Sequence, residues 1–243
     1  METMLLTLMV TAIPAICCFA GGMIGSFYDP SDRMASAVQH FAAGIVFAAV
    51  AVELLPMLSH ETAPLAIAAG FLLGVFVMLV IKFYPGGEGG ETKGQEQVTS
   101  IKAVISAVAI DLFIDGLLIG IALLAGHRGG LLIAIALAVE IFFLGLSTAV
   151  TMGNHQFRLP KKVFTFIGLM LLVPIGGIAG AVLLIHLPAS FRPFTLAFGV
   201  AALLYLVTEE LLVDAHSKPD APWLTACFFI GFLAILLLEG GHG

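Results

Sequence analysis

Long apolar segments recur along the whole chain, and short polar turns separate them. Eight segments have the length, about 20 residues, at which a helix crosses a bilayer: 4–26, 36–57, 63–83, 101–125, 130–153, 163–187, 191–213 and 221–238. The separators at 29–32 and 217–220 combine Asp, Ser and Pro, which are typical turn residues. The pattern predicts an all-α integral membrane protein with eight transmembrane helices in one domain, 1–243.

One connection is long, and the positive charges are unevenly placed. Residues 84–100 are rich in glycine and polar side chains, a composition typical of a flexible linker. Of the ten Lys and Arg residues, only Arg128 and Arg192 lie on the side of the two termini, and the remaining eight lie on the side of this linker. Because Lys and Arg favour the cytoplasmic side, we expect a cytoplasmic linker and two extracytoplasmic termini in the cell (inner or plasma) membrane.

Composition supports the membrane class and excludes several others. The chain is 60% hydrophobic and 11% charged, whereas a soluble domain carries about 25% charged residues. The net charge of -6 and the absence of a basic stripe argue against a nucleic-acid partner. No Lys or Arg precedes the first apolar segment, so we expect a retained helix there rather than a signal peptide. Three cysteines make no disulfide framework.

Two parts of the chain resemble each other. Both contain Glu-Leu-Leu, a histidine, a proline and a glycine at similar offsets, namely Glu53, His60, Pro64 and Gly74, then Glu210, His216, Pro222 and Gly231. In the predicted topology the two copies have opposite orientations, an arrangement typical of transporters. We therefore predict a 3+2+3 architecture in which inverted repeats, helices 1–3 and 6–8, flank a central helix 4/5 pair. Chance similarity between apolar segments is the alternative.

Three acids lie in the middle of the central pair. Asp111 and Asp115 are four residues apart and share one face of helix 4, while Glu140 lies near the middle of helix 5. A carboxylate at this depth costs about 2.5–3.5 kcal/mol, and no Lys or Arg lies at the same depth. The favoured interpretation is a site for a cation, because hard divalent ions prefer oxygen ligands. Proton-carrying acids and protonated acids bonded to the backbone are the alternatives.

Further candidates lie along the expected pathway, most of them near helix ends. These are Glu53, Ser147, Thr148, Glu209, Glu210, Asp214 and His216, with His40 at the start of helix 2. Each residue near a helix end is equally consistent with a solvated end. Small residues near the acids either line a cavity or allow close packing, the interpretation we favour; they are Gly116, Gly120, Gly145, Ser147 and Thr148. Cys17 and Cys18 are candidate soft ligands or inert packing.

The segments 41–56 and 204–216 resemble helices 2 and 7 of the ZIP family of divalent metal transporters. The resemblance implies eight helices, outside termini, a cytoplasmic linker after helix 3 and movement of the central helices against the repeats. It also implies metal motifs in helices 4 and 5, and these are altered here. Asp111 stands in place of a histidine, and Leu112, Ile141 and Leu144 stand in place of further ligands. The resemblance therefore implies an atypical member with one mononuclear site.

The resulting expectation is a transporter for a divalent metal cation of the Mn, Fe or Zn class. An all-oxygen site shifts the preference from zinc toward Mn²⁺ or Fe²⁺. We expect no organic cofactor and no enzymatic activity; the expected partners are membrane lipid and metal ions, and a homodimer is left open. The rival functions are a proton-coupled transporter of another substrate, a membrane enzyme, and a non-transporting sensor or scaffold. An enzyme is disfavoured because no midplane histidine is present to act as a base or metal ligand.

Overall fold

The computed structural model describes residues 2–83, 101–217 and 221–240. This described part contains eight long helices, which we number in chain order: α1 (Glu2–Gly25), α2 (Asp32–Ser59), α3 (Pro64–Phe83), α4 (Ile101–Ala125), α5 (His127–Asn154), α6 (Leu159–His186), α7 (Arg192–His216) and α8 (Pro222–Gly240). Helices α1 to α7 are long and apolar enough to cross a membrane, and α8 contributes a shorter apolar stretch, Pro222–Leu238. The predicted linker 84–100 lies outside the described residues.

Several helices extend beyond their apolar segments. Helix α2 begins at Asp32 rather than at residue 36, and the side chain of Ser31 accepts a hydrogen bond from the backbone N–H of Met34. Helix α7 continues to His216 rather than ending at residue 213. Capping and polar terminal turns extend a helix without adding hydropathy. For this reason hydropathy locates these helices but places some of their ends too far inward.

The helices pack as two groups of four. Helices α1, α4, α5 and α6 form the first group, in which α1 packs on α5 and α4 packs on α6 most extensively. Helices α2, α3, α7 and α8 form the second group, in which the main pairs are α2 with α8 and α3 with α7. Contacts of α2 with α5 and of α4 with α7 join the two groups. All three midplane acids lie on helices of the first group.

Glycines bring the paired helices into backbone contact. A Cβ atom at Gly116 would overlap the carbonyl oxygen of Val173, and a Cβ atom at Gly176 would overlap the carbonyl oxygen of Phe113. The α2–α8 contact is built in the same way, with Gly44 against the Phe228 carbonyl. Small residues commonly allow such close approach between membrane helices. The packing interpretation of Gly116, Gly120 and Gly145 is therefore the one the structure supports, since each faces backbone of a neighbouring helix.

Two helices contain π-helical segments that hydropathy does not predict. Val50–Leu54 interrupts α2 and Leu206–Leu211 interrupts α7. The first contains Glu53, and the second contains Glu209 and Glu210. Such segments are rare and are often found at functional sites. They shift the following side chains around the helix axis, so the faces of α2 and α7 change partway along their length.

Large apolar side chains cover the outside of the molecule. Leu65 is 86% exposed, Phe164 is 80% exposed and Leu237 is 65% exposed. Water would solvate such a surface poorly, whereas lipid tails are an equivalent solvent for it. At one end of the bundle, where α2, α4 and α6 begin, lie Arg33, Lys102, Lys161 and Lys162. We call this the basic end, and the end where Glu61 pairs with Arg192 at 3.6 Å the opposite end.

Candidate metal centre

The structure brings the three midplane acids together. Asp111 and Asp115 lie one turn apart on α4, and the antiparallel α5 presents Glu140 toward them. One carboxylate oxygen from each residue lies within 4.8 Å of those of the other two. Two oxygens on opposite sides of one hard cation lie about 4–5 Å apart, given metal–oxygen distances of about 2.0–2.6 Å. The cluster therefore has the dimensions of a single cation site.

Burial makes this cluster costly without a partner. Asp115 is 1% exposed and Glu140 is 5% exposed, while Asp111 is half-buried. Asp115 Oδ2 and Glu140 Oε2 accept no hydrogen bond from the part of the chain that the structure describes. A buried polar atom without a partner is destabilising. A divalent cation among the three side chains would provide both the missing contacts and the counter-charge.

A cavity of about 90 Å³ leads from the acids to the basic end. Asp111 and Glu140 line its inner part, and Gln39, Thr151 and Asp214 line its outer part. Asp115 lies deeper than this lining. Toward the opposite end the interior is filled by side chains that are 0–3% exposed, namely Leu118, Ile119, Ile133 and Leu137. The cavity therefore connects the acids to the basic end, and apolar packing separates them from the opposite end.

The other predicted pathway residues fall into separate places. The cavity lining includes Ser147, Thr148, Glu210 and Asp214. The Thr148 hydroxyl donates to the Leu144 carbonyl at 2.7 Å, so it is already hydrogen-bonded to its own helix. Three predicted pathway residues, Glu53, Glu209 and His216, do not line this cavity. Glu53 is buried beside the start of α5 at the opposite end, and Glu209 and His216 are exposed.

Gln39 is a cavity residue that the sequence does not reveal. Its Nε2 donates to Asp214 Oδ2 at 3.2 Å, which links α2 to α7 across the mouth of the cavity. A glutamine near the start of a helix is ordinary, so no pattern distinguishes it. Cys18 is fully buried on α1, as expected for inert packing, and Cys17 and Cys227 are half-buried free thiols.

The chain is similar in sequence to a known transporter. No family model matches the chain. The zinc transporter GufA of Myxococcus xanthus is 27% identical over 200 residues, which cover 79% of this chain and 78% of GufA. The matched region spans most of both proteins. The described residues contain seven helices long and apolar enough to cross a membrane. Together with this similarity, they support a multi-pass membrane protein.

Proposed function

We propose that this chain is a ZIP-like transporter that carries a divalent metal cation through one site formed by Asp111, Asp115 and Glu140. The observation that carries the proposal is the convergence of three buried or half-buried carboxylates at the inner end of a cavity. The similarity to a zinc transporter over most of both chains supports the same function. The activity is transport, with no catalysed chemical step and no organic cofactor.

The three acids have different positions and so different tasks. Asp115 and Glu140 are buried and hold the ion, because a charged ligand in a low-dielectric setting attracts a cation strongly. Asp111 is half-buried and lines the cavity. It binds the ion as the ion enters or leaves the site through the cavity from the basic end. Leu112 and Ile141 are fully buried and offer no ligand atom, which supports a single ion rather than two. Without imidazole or thiolate ligands, this site should prefer zinc less than a site that contains histidine, and Mn²⁺ or Fe²⁺ more.

The packing supports the 3+2+3 arrangement with inverted repeats. In this arrangement helices α1, α2 and α3 correspond to α6, α7 and α8, and α4 corresponds to α5. The packing of α1 on α5 then corresponds to that of α6 on α4. Likewise, the packing of α2 on α8 corresponds to that of α7 on α3. These are the four most extensive helix pairs. The π segments of α2 and α7 are a further matching pair, since each contains an acid of the repeated Glu-Leu-Leu motif.

Transport then follows from movement between the two groups of helices. The acids all belong to the group α1, α4, α5 and α6, and α2 and α7 provide the other wall of the cavity. Movement of one group along the other would transfer the site from one end to the other. The ZIP resemblance implies movement of the central helices against the repeats, and the packing adds α1 and α6 to the moving group. The distribution of Lys and Arg favours a cytoplasmic basic end and termini outside. The described conformation is then open to the inside.

Uptake into liposomes tests this function. Purified protein is reconstituted into liposomes that contain a metal-sensitive dye. The uptake of Mn²⁺, Fe²⁺ and Zn²⁺ is then measured for the wild type, Asp115→Asn and Glu140→Gln. We expect uptake by each of these two variants to be at least about tenfold lower than uptake by the wild type. A tenfold effect corresponds to a loss of about 1.4 kcal/mol of binding free energy. Glu209→Gln is the matched control, because Glu209 is exposed outside the cavity. Equal uptake by all four proteins, or none by the wild type, would contradict the proposal.

A further inference from the structure

Two histidines meet where the basic end of α2 contacts the end of α7. The rings of His40 and His216 have centroids 4.9 Å apart and planes inclined by 65°. His40 is 1% exposed, whereas His216 lies at the surface. The Ser36 hydroxyl donates to the Ala215 carbonyl at 2.9 Å and fixes the two helices beside this pair. The two rings are thus held together by the packing of α2 on α7.

Both rings are oriented in the same way. His40 Nδ1 lies 2.9 Å from the Ser36 carbonyl oxygen, and His216 Nδ1 lies 2.7 Å from the Leu212 carbonyl oxygen. A carbonyl oxygen only accepts, so Nδ1 carries the proton in each ring. A neutral imidazole then presents its lone pair at Nε2. Metal-binding histidines commonly have this arrangement, in which one ring N–H is bonded to a carbonyl and the other nitrogen faces the ion.

The Nε2 atom of His40 makes no hydrogen bond in the described part of the chain. The atom is buried. Two imidazoles on one tetrahedral ion, with metal–nitrogen distances of about 2.0–2.1 Å, have ring centroids about 5 Å apart. The observed 4.9 Å agrees with this spacing. The Nε2 atom of His40 is therefore buried without a hydrogen-bond partner among the described residues, and the His216 ring lies at the centroid spacing that two ligands of one ion have.

We propose that His40 and His216 form a second metal site, separate from the three acids, for a divalent cation that prefers nitrogen ligands, such as Zn²⁺. Imidazole suits Zn²⁺, Ni²⁺ and Cu²⁺, whereas the all-carboxylate cluster suits harder ions. Two protein ligands leave the remaining coordination positions to water on the side of the exposed His216. The site lies next to the cavity mouth, because Gln39 and Asp214 line that mouth and are close in sequence to the two histidines. It binds ions independently of transport.

Zinc titration of a protein whose carboxylate cluster is disabled tests the site. The background is full-length Asp115→Asn/Glu140→Gln in detergent, and bound Zn²⁺ is counted by equilibrium dialysis and calorimetry. We expect one Zn²⁺ per chain in this background and at least a tenfold weaker affinity after His216→Gln or His40→Gln. His216 is exposed, so its replacement leaves the core intact if His40→Gln fails to fold. Zn²⁺ should also raise the thermal midpoint of the background protein by joining α2 to α7.

A matched control separates this site from general histidine binding. His186 makes the same Nδ1 contact, to the Val182 carbonyl at 2.8 Å, but is exposed at the opposite end. His186→Gln should leave the zinc affinity unchanged. The proposal is overturned if the background binds no Zn²⁺, if binding survives His216→Gln, or if His186→Gln weakens it equally. None of these outcomes depends on whether the carboxylate cluster transports metal, because that cluster is absent from every protein in the test.

Discussion

Asp115 is the residue on which metal binding should depend most. Its carboxylate is 1% exposed, one oxygen accepts no hydrogen bond from the described residues, and the oxygens of two other acids lie within 4.8 Å. Asp115→Asn keeps the shape of the side chain and removes its charge. Because a neutral amide is less costly than a carboxylate in an apolar interior, the metal-free variant should unfold at the same temperature as the wild type or higher.

Thermal unfolding with and without Mn²⁺ measures this prediction. The wild type should gain stability from the ion, since a ligand that binds only the folded state raises the unfolding temperature. Asp115→Asn should show no such gain. Glu209→Gln should behave as the wild type does. A gain in Asp115→Asn equal to that of the wild type would show that Asp115 is not a ligand.

Ion preference at this site should follow the chemistry of position 111. Asp111 is half-buried and contributes a carboxylate oxygen, whereas imidazole binds zinc better than it binds manganese. Asp111→His should raise the ratio of Zn²⁺ to Mn²⁺ affinity by about tenfold, or about 1.4 kcal/mol. Competition binding in the His216→Gln background measures the ratio without the two-histidine site. An unchanged ratio would mean that Asp111 does not contact the ion.

The three acids and four further residues of the cavity lining, Ser147, Thr148, Glu210 and Asp214, are candidates in the sequence, but Gln39 and the contacts that assemble the cavity are not. Asp111, Asp115 and Glu140 stand out because charges are rare and costly in an apolar span. Gln39 and Asp214 lie near helix ends, where polar side chains are common, and only the packing of α2 on α7 shows that they meet. The pairing of His40 with His216 likewise depends on a contact between residues far apart in the chain.

Among the helices, the α4–α6 contact should be sensitive to a single methyl group. A Cβ atom at Gly116 would overlap the Val173 carbonyl oxygen, a backbone atom that cannot rotate away as a side chain can. Gly116→Ala must therefore push the helices apart, and overpacking of this kind costs about 1–3 kcal/mol. Gly168, on α6, has nothing within 4 Å of its Cβ position. Gly168→Ala should be neutral or more stable by about 0.5–1 kcal/mol, the helix preference of alanine over glycine.

Unfolding of both variants in mixed micelles measures the difference between the two glycines. Gly116→Ala should unfold at a lower denaturant concentration than the wild type, and Gly168→Ala should not. Equal behaviour of the two variants would contradict the close α4–α6 packing.

Hydropathy predicts the helices better than it predicts their irregularities. Each of the eight predicted apolar segments lies largely or wholly within a helix, because length and apolar content determine membrane spans. The π segments Val50–Leu54 and Leu206–Leu211 add one residue to a turn without changing hydropathy. The capped start of α2 at Asp32 extends beyond the apolar run for the same reason, since a cap is polar.

For the whole molecule, the orientation in the membrane is a prediction that the charge distribution makes. Arg33, Lys102, Lys161 and Lys162 lie at one end of the bundle, and this end should face the cytoplasm. Thr92→Cys and Gly243→Cys, each in a background in which the three native cysteines are replaced, test the two sides. An impermeant thiol reagent applied outside intact cells should modify position 243 and spare position 92. The reverse pattern would invert the orientation and place the open cavity mouth outside.

The arrangement of two four-helix groups is only partly visible in the sequence. The repeated Glu-Leu-Leu motifs indicate related halves, but they do not show that α2 and α7 leave their sequence neighbours to pack on α8 and α3. The glycines that set those contacts, such as Gly44 and Gly231, also occur wherever membrane helices are flexible or close. Only the folded structure shows which glycines lie at contacts between helices.

Metal binding coupled to proton release is the most direct measure of the carboxylate site. Three carboxylates within 4.8 Å cannot all be ionised without a cation, because like charges this close repel strongly. Binding must therefore displace protons, and the affinity must weaken as pH falls. Calorimetry of Mn²⁺ binding in two buffers of different ionisation enthalpy should give one ion per chain and a net release of protons. Absence of Mn²⁺ binding by the wild type, or binding without proton release, would contradict the carboxylate site.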